Sequence, residues 1–290
     1  MAIWLKSEPS IKSAVLFGSS ARTGGSAGDT DRWSDIDLQV IAASPALFEN
    51  MKWNEVVPHA KLCLQVIRPA TGNVQKLTAI FDVGQIDLVV VPYSRLYLAR
   101  LGLTLGFHRR SHRWDLALNE IRTSMQFGYR FIKGEAEWRG FYSKILDEMP
   151  GVRVSDDEAR NMANVSICDL LWIFQKLDRG ELAAAQHTIH QSLAHTNLRL
   201  LRELRLRRDE PLKSFGLARH LESSLGAKEL NWVRVDARST QDELRDAAWR
   251  AHEGLESLMR ELVPGWHVPR AMACLLNGFR AYPRAQITLD

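Results

Sequence analysis

Two carboxylates separated by a single residue, Asp35 and Asp37 in Ser34-Asp35-Ile36-Asp37-Leu38, are the most chemically specific feature of the chain. They open an apolar run, Ile36 to Ala42, that reads as a strand, and residues i and i+2 of a strand share a face. Carboxylates this close repel each other unless a cation lies between them. Hard oxygen ligands of this kind suit Mg²⁺ shared with substrate phosphates. Upstream, Val15 to Phe17 reads as a short buried strand that ends at Gly18-Ser19. Glycine leaves the backbone there open to a ligand. The N–H groups of Gly18, Ser19 and Ser20, the two hydroxyls and a helix start just beyond would offer donors to anionic oxygens, with Arg22 in reach of outer phosphates. A Gly-Ser turn or an Asp-x-Asp pair alone recurs by chance in ordinary turns and edge strands. Their succession on consecutive elements favours a metal–nucleotide site.

Asp87 is a third candidate. It opens the otherwise apolar stretch Ile86 to Val91, where a carboxylate is costly to bury without a partner, so it is expected to face a cation. Capping of a hairpin end is the plainer alternative, and Asp82 on the partner strand is the nearest competitor.

Leu16-Phe17-Gly18-Ser19 followed by Asp35-Ile36-Asp37-Leu38 resembles the signature of the polymerase-β-type nucleotidyltransferase superfamily. The resemblance implies that the Gly-Ser turn holds a nucleoside triphosphate and that Asp35 and Asp37 bind Mg²⁺. It also implies that Asp87, in its apolar-Asp-apolar context, completes the metal site or acts as general base. The expected reaction is attack of a hydroxyl on the α-phosphorus, with ATP the favoured donor and pyrophosphate leaving. The segment Ser20 to Ser34, with Gly24, Gly25 and Gly28, is longer than the family usually has and suggests an enlarged loop. A minimal transferase domain followed by a helical domain of similar size further resembles antibiotic nucleotidyltransferases acting on aminoglycosides, which implies a small-molecule hydroxyl acceptor. A protein or RNA acceptor, as in toxin–antitoxin nucleotidyltransferases, is the runner-up. A non-catalytic ligand-binding relative has no need of three cation-demanding carboxylates.

The elements expected to position these groups divide the chain in two. The fold class expected for residues 1–148 is α/β (α+β), a mixed sheet with flanking helices. Residues 149–156 form a linker, and residues 157–290 an all-α helical bundle that binds the acceptor. Helices are expected at Pro45–Val57, Ser94–Leu105 and Trp114–Phe127, and strands at Cys63–Ile67 and Tyr129–Gly134, the latter at a sheet edge. Lys76–Val83 and Ile86–Val91 read as a hairpin turning at Gly84-Gln85. The cluster His108-Arg109-Arg110-Ser111-His112-Arg113 reads as a solvated loop. After Met149-Pro150-Gly151, Ser155 and Glu158 fit a capping box for a helix from Asp157 to about Arg179, stopped by Gly180. On that helix Asp169 and Trp172 are candidates for binding a cationic acceptor, although an ion pair would equally bury the carboxylate. Glu181–Arg208 reads as a long helix with Leu198, Leu201 and Leu204 as its core stripe and Arg199, Arg202 and Arg205 on a solvated face. His187, His190 and His195 lack the spacing of a zinc site. Two more helices are expected near Lys213–Leu225 and Thr240–Leu262, with no motif after Pro264.

The composition of the 290 residues, 46% apolar and 25% charged, is that of a soluble globular protein. A net charge of +4 is mild and spread over both halves, which leaves nucleic acid unsupported as a partner. Cys63, Cys168 and Cys274 are odd in number and far apart, and read as buried free thiols of a reducing compartment. With no signal-like start and no apolar run of membrane length, a cytoplasmic protein without a membrane partner is expected, homodimerisation being left open.

Overall fold

The apolar runs around the candidate carboxylates pair into one sheet. The computed structural model describes residues 1–21, 34–43, 48, 51–70, 74–210, 218 and 221–281. The chain divides into two units, Met1–Val152 and Arg153–Asp290.

In the first unit, after a short helix α1 (Ala2–Ser7), six strands are described: β1 (Ile11–Phe17), β2 (Ile36–Ala42), β3 (Leu62–Ala70), β4 (Val74–Phe81), β5 (Gly84–Pro92) and β6 (Tyr129–Lys133). They line up in the order β3-β4-β5-β2-β1-β6. Every pairing is antiparallel except β2 with β5, so the sheet is mixed as expected, with β6 at its edge. Alternation along the central strands separates two apolar layers. Ala14, Leu16, Leu38, Val40, Leu88 and Val90 pack on one face with Leu5, Phe48 and Trp53. Val15, Phe17, Ile41 and Val91 pack on the other, against residues of α3 (Tyr93–Thr104), α4 (His112–Met125) and α5 (Glu135–Glu148).

Helix α5 was not anticipated, although Trp138, Phe141, Tyr142 and Ile145 recur at helical spacing and are all buried. Tyr142 is fully buried and donates its hydroxyl to Gln39 on β2, two residues beyond Asp37. Burial, and secondarily Tyr129, pushes its phenol far above the ordinary range, which keeps it a neutral donor.

Several boundaries differ from expectation. The helix anticipated at Pro45–Val57 is not continuous: Met51 and Lys52 are non-helical and only Trp53–Val56 forms a helical turn, α2, while residues 44–47 and 49–50 lie outside those described. Strand β3 continues through Pro69 to Ala70, which an edge strand tolerates because its outward N–H groups need no partner. The hairpin turns at Asp82-Val83 rather than Gly84-Gln85, with Phe81 opposite Gly84. The anticipated turn would have set Asp82 directly opposite Asp87, and like charges so placed are destabilising. The observed register sets Thr78 there instead. His112 and Arg113 belong to the first turn of α4 rather than to a loop. Cys63, Cys168 and Cys274 are exposed, not buried, because β3 is an edge strand and the other two lie on outward helix faces.

The second unit is helical. Its elements are α6 (Asp156–Asp178), α7 (Leu182–Thr188), α8 (His195–Arg207), α9 (Leu221–Ser224), α10 (Ala227–Val233), α11 (Gln241–Leu262) and α12 (Arg270–Ala281). Ser155 caps α6 by accepting from the Glu158 N–H at 3.2 Å, as the capping box requires. The anticipated long helix is α7 and α8 joined by a π-helical segment, Ile189–Ala194. Two members of its basic stripe form ion pairs: Arg199, still partly exposed, bridges to Glu158, and Arg205 to Glu229. Helices α10 and α12 were not anticipated, and most of Lys213–Leu225 lies outside the described residues. No helix among the described residues is long and apolar enough to cross a membrane.

Glu203 ties the start of this unit to α8. Its side chain is 3% exposed and accepts from Arg153 at 2.8 Å, Arg207 at 2.9 Å and the Val154 N–H at 3.0 Å. Burial alone would raise its pKa, but these donors together hold it below the usual carboxylate range. A depressed folded pKa contributes stability that is complete above the unfolded value, about 4.3, and is lost as pH falls through the folded value. Glu203→Gln is therefore expected to cost about 2–4 kcal/mol at neutral pH. In urea titrations across pH, that cost should shrink under acid conditions, where the wild-type carboxyl is protonated as well.

Candidate active site

Strand register brings the three carboxylates together. Asp37 lies near the start of β2 and Asp87 near the start of β5, and the parallel ladder makes them direct partners across the two strands. Asp35 lies just before the start of β2, two residues before Asp37. One carboxylate oxygen from each of Asp35, Asp37 and Asp87 lies within 4.8 Å of the others. At Mg–O bonds near 2.1 Å, opposite ligands on one ion stand about 4.2 Å apart, so a small side-chain adjustment closes the set around a cation. Among the described residues this is the one such cluster of His, Cys, Asp or Glu. Asp82 stays out of it: its carboxylate accepts from the Lys61 N–H at 3.0 Å beside the turn.

Gly18 shapes the adjoining wall. It follows β1 with φ +74°, a conformation that favours glycine, and an added Cβ would stand 2.5 Å from Asp37 Oδ2. The glycine is thus required twice, for its backbone and for its closeness to the Asp37 carboxylate. Beyond it, Ser19–Ala21 forms a 3₁₀ turn in place of the anticipated helix start. Ser20 Oγ donates to the Asp35 carbonyl at 3.0 Å, which ties the turn to the residue that opens the acidic pair. The side chain of Ser19, all of Arg22 and most of the long Ser20–Ser34 segment lie outside the described residues.

Asp87 is the buried member, its side chain 4% exposed, and it is densely held. Thr78 Oγ1 donates to its Oδ1 at 2.7 Å and Gln85 Nε2 to the same oxygen at 3.2 Å. Lys76 Nζ lies 2.5 Å from Oδ2. Arg68 donates to Thr78 Oγ1 at 3.1 Å, and since a guanidinium only donates, the single hydroxyl proton of Thr78 is left for Asp87. None of Lys76, Thr78, Gln85 and Arg68 was picked out from the sequence. The signal lay in the alternation of Lys76 and Thr78 on the strand paired with Asp87, readable only once the turn is set at Asp82-Val83.

The chain resembles solved nucleotidyltransferases. An aminoglycoside 6-adenyltransferase from Bacillus subtilis is 11% identical, with 97% of this chain and 93% of that chain covered at a TM-score of 0.42. A nucleotidyltransferase-like protein from Exiguobacterium sibiricum is 14% identical, with coverage of 96% and 76% at a TM-score of 0.32. No family model matches the chain, and no curated protein matches it. Likeness at this level leaves the chemistry to be argued from side chains.

In the helical unit, Asp169 and Trp172 lie about one turn apart on α6. Asp169 accepts a hydrogen bond from Ser192 in the π-helical segment. Trp172 is 41% exposed, and Lys176 Nζ stands 4.9 Å from the centre of its ring. Both groups therefore have partners within their own unit.

Gly18→Ala tests the wall of the site. Left-handed strain of about 1–2 kcal/mol and the clash with Asp37 should lower the melting temperature. Thermal denaturation of the variant and the wild type, with and without Mg²⁺, checks both the loss of stability and any gain on adding the cation.

Proposed function

We propose that this chain is a divalent-cation-dependent nucleotidyltransferase that moves an NMP group, AMP favoured, from a nucleoside triphosphate to a hydroxyl of a small molecule. The observation that carries this reading is the meeting of Asp35, Asp37 and Asp87 beside Gly18. Three carboxylates crowded together near the starts of two central strands repel one another, and a cation shared with phosphates would offset the charge of all three.

In this reading Asp35, Asp37 and Asp87 would hold the cation, with Asp87 fixed by Thr78 and Gln85. When bound, Mg²⁺ would neutralise charge on the phosphates and ease deprotonation of the attacking hydroxyl. The chain's own contribution is placement. The bare backbone at Gly18 lets phosphate oxygens approach the Gly18–Ser20 amides, with Arg22 assigned to the outer phosphates. The hydroxyl oxygen bonds to the α-phosphorus as the bond to the pyrophosphate oxygen breaks, and the hydroxyl proton leaves toward a carboxylate or solvent.

The acceptor is assigned to the helical unit by the order of domains, with an aminoglycoside-like hydroxyl compound favoured. Asp169 and the exposed ring of Trp172 supply a carboxylate and an aromatic face suited to a cationic group. A cytoplasmic setting accords with this assignment.

Asp37→Asn is expected to lower the cation-dependent transfer activity by about 10²–10³-fold, a loss of the order seen when a group that stabilises developing charge is removed. The circular dichroism spectrum should stay that of the wild type. The assay supplies each labelled nucleoside triphosphate in turn with aminoglycosides, a protein extract and tRNA. Unchanged turnover in the variant would overturn the site. Label found only in macromolecules would overturn the small-molecule acceptor and leave nucleotidyl transfer standing.

A further inference from the structure

Asp87 carries more cationic and hydrogen-bonding support than a plain ligand needs, and the support is divided unequally between its two oxygens. Oδ1 receives two neutral donors, Thr78 at 2.7 Å and Gln85 at 3.2 Å. Oδ2 receives the ammonium of Lys76 at 2.5 Å. Of the neutral donors, Thr78 has a short side chain and is locked further by Arg68. Lys76 is different: its side chain is 27% exposed, on a flexible four-carbon stem whose ammonium can turn to water. One oxygen of Asp87 is thus anchored, while the other is held by a charge that can leave.

The Asp87 carboxylate also contributes an oxygen to the cluster in which one oxygen from each of the three carboxylates lies within 4.8 Å of the others. A divalent ion that engages Asp87 and the ammonium of Lys76 are like charges seeking the same carboxylate, and at such distances they exclude each other. We propose that Lys76 is an internal counter-ion that competes with the divalent cation for Asp87, so that Asp87 joins the cation as Lys76 is released. This rests on the reading of the carboxylate cluster as a cation site. It makes Lys76 a positioning residue: it holds one oxygen of the buried carboxylate in place, and it sets how tightly the third ligand takes a cation. A structural strut would differ, because it would stay in place when the cation binds.

The experiment titrates Mn²⁺ into the full chain by calorimetry and reads melting temperature with and without saturating Mn²⁺, for the wild type, Lys76→Met, Lys76→Arg and Thr78→Val. Loss of a competing charged hydrogen bond is expected to tighten Mn²⁺ binding about tenfold in Lys76→Met. That variant should melt lower than the wild type without Mn²⁺ and regain most of the difference when saturated. Lys76→Arg, which keeps the charge, should stay within about twofold of the wild type, and Thr78→Val, which frees the anchored oxygen, should bind no more tightly than the wild type. Equal or weaker Mn²⁺ binding by folded Lys76→Met would overturn the competition. So would a melting deficit that persists unchanged at saturation, which marks a strut, or a raised nucleotide KM with unaltered Mn²⁺ affinity, which marks a phosphate contact. Should Lys76→Met fail to fold, Lys76→Gln carries the same comparison. Absence of Mn²⁺ binding by the wild type is a distinct result that removes the cation site itself.

Discussion

The parallel pairing of β2 with β5 is the constraint on which the candidate site depends. It sets Asp37 opposite Asp87, where two carboxylates on adjacent strands would normally be selected against. The pairing holds because the rest of both strands is apolar. Leu38, Val40, Leu88 and Val90 fill one layer, and Ile41 and Val91 fill the other. Burial of about 1.5–3 kcal/mol per large apolar side chain outweighs repulsion between carboxylates concentrated at one end. The acidic cluster is therefore carried by the hydrophobic core beneath it, and the strands have no freedom to slip, since a shift by one residue would turn every apolar side chain to the wrong face.

Around that pairing, the chain offsets charge locally. Lys76, Thr78 and Gln85 gather on Asp87, the most buried of the three. On the other side of the cluster the wall is a glycine, where any side chain would strike Asp37. Donors thus crowd the buried carboxylate, and on the turn side the glycine lets the backbone lie close against Asp37. Just past Asp37 on the same strand, Gln39 Oε1 accepts a hydrogen bond from the hydroxyl of the buried Tyr142, so a neutral hydrogen bond separates the charged end of the face from its apolar end. The helical unit uses a comparable device in Glu203, where burial that would neutralise a carboxylate is reversed by Arg153, Arg207 and a backbone N–H.

Much of the site was legible in the sequence because its signals are local. Asp35 and Asp37 share a face through the two-residue period of a strand, and Gly18-Ser19 ends an apolar run at a recognisable turn. Asp87 stood out as a carboxylate in an apolar strand. The four residues gathered on or behind Asp87 were not legible, since the hairpin turn was placed at Gly84-Gln85, two residues from where it lies. That placement pairs Asp87 with Asp82, whereas the real turn pairs it with Thr78. The thiols illustrate the same limit: Cys63 looks buried among Leu62, Leu64 and Val66, but β3 is the edge of the sheet and those neighbours are themselves exposed. Helices α5 and α12 went unseen although their apolar spacing is helical.

The sequence by itself determined which side chains could bind a cation and phosphate, which of them share a strand face, and that a mixed α/β region precedes a helical one. Those properties follow from residue type and from backbone periods spanning only a few positions. The tertiary structure alone decided that Asp37 and Asp87, fifty positions apart in the chain, are neighbours. It also decided that Lys76 rather than Asp82 faces the third carboxylate. Register between strands is set by the burial of whole apolar faces against distant helices, and no short stretch of sequence contains that information.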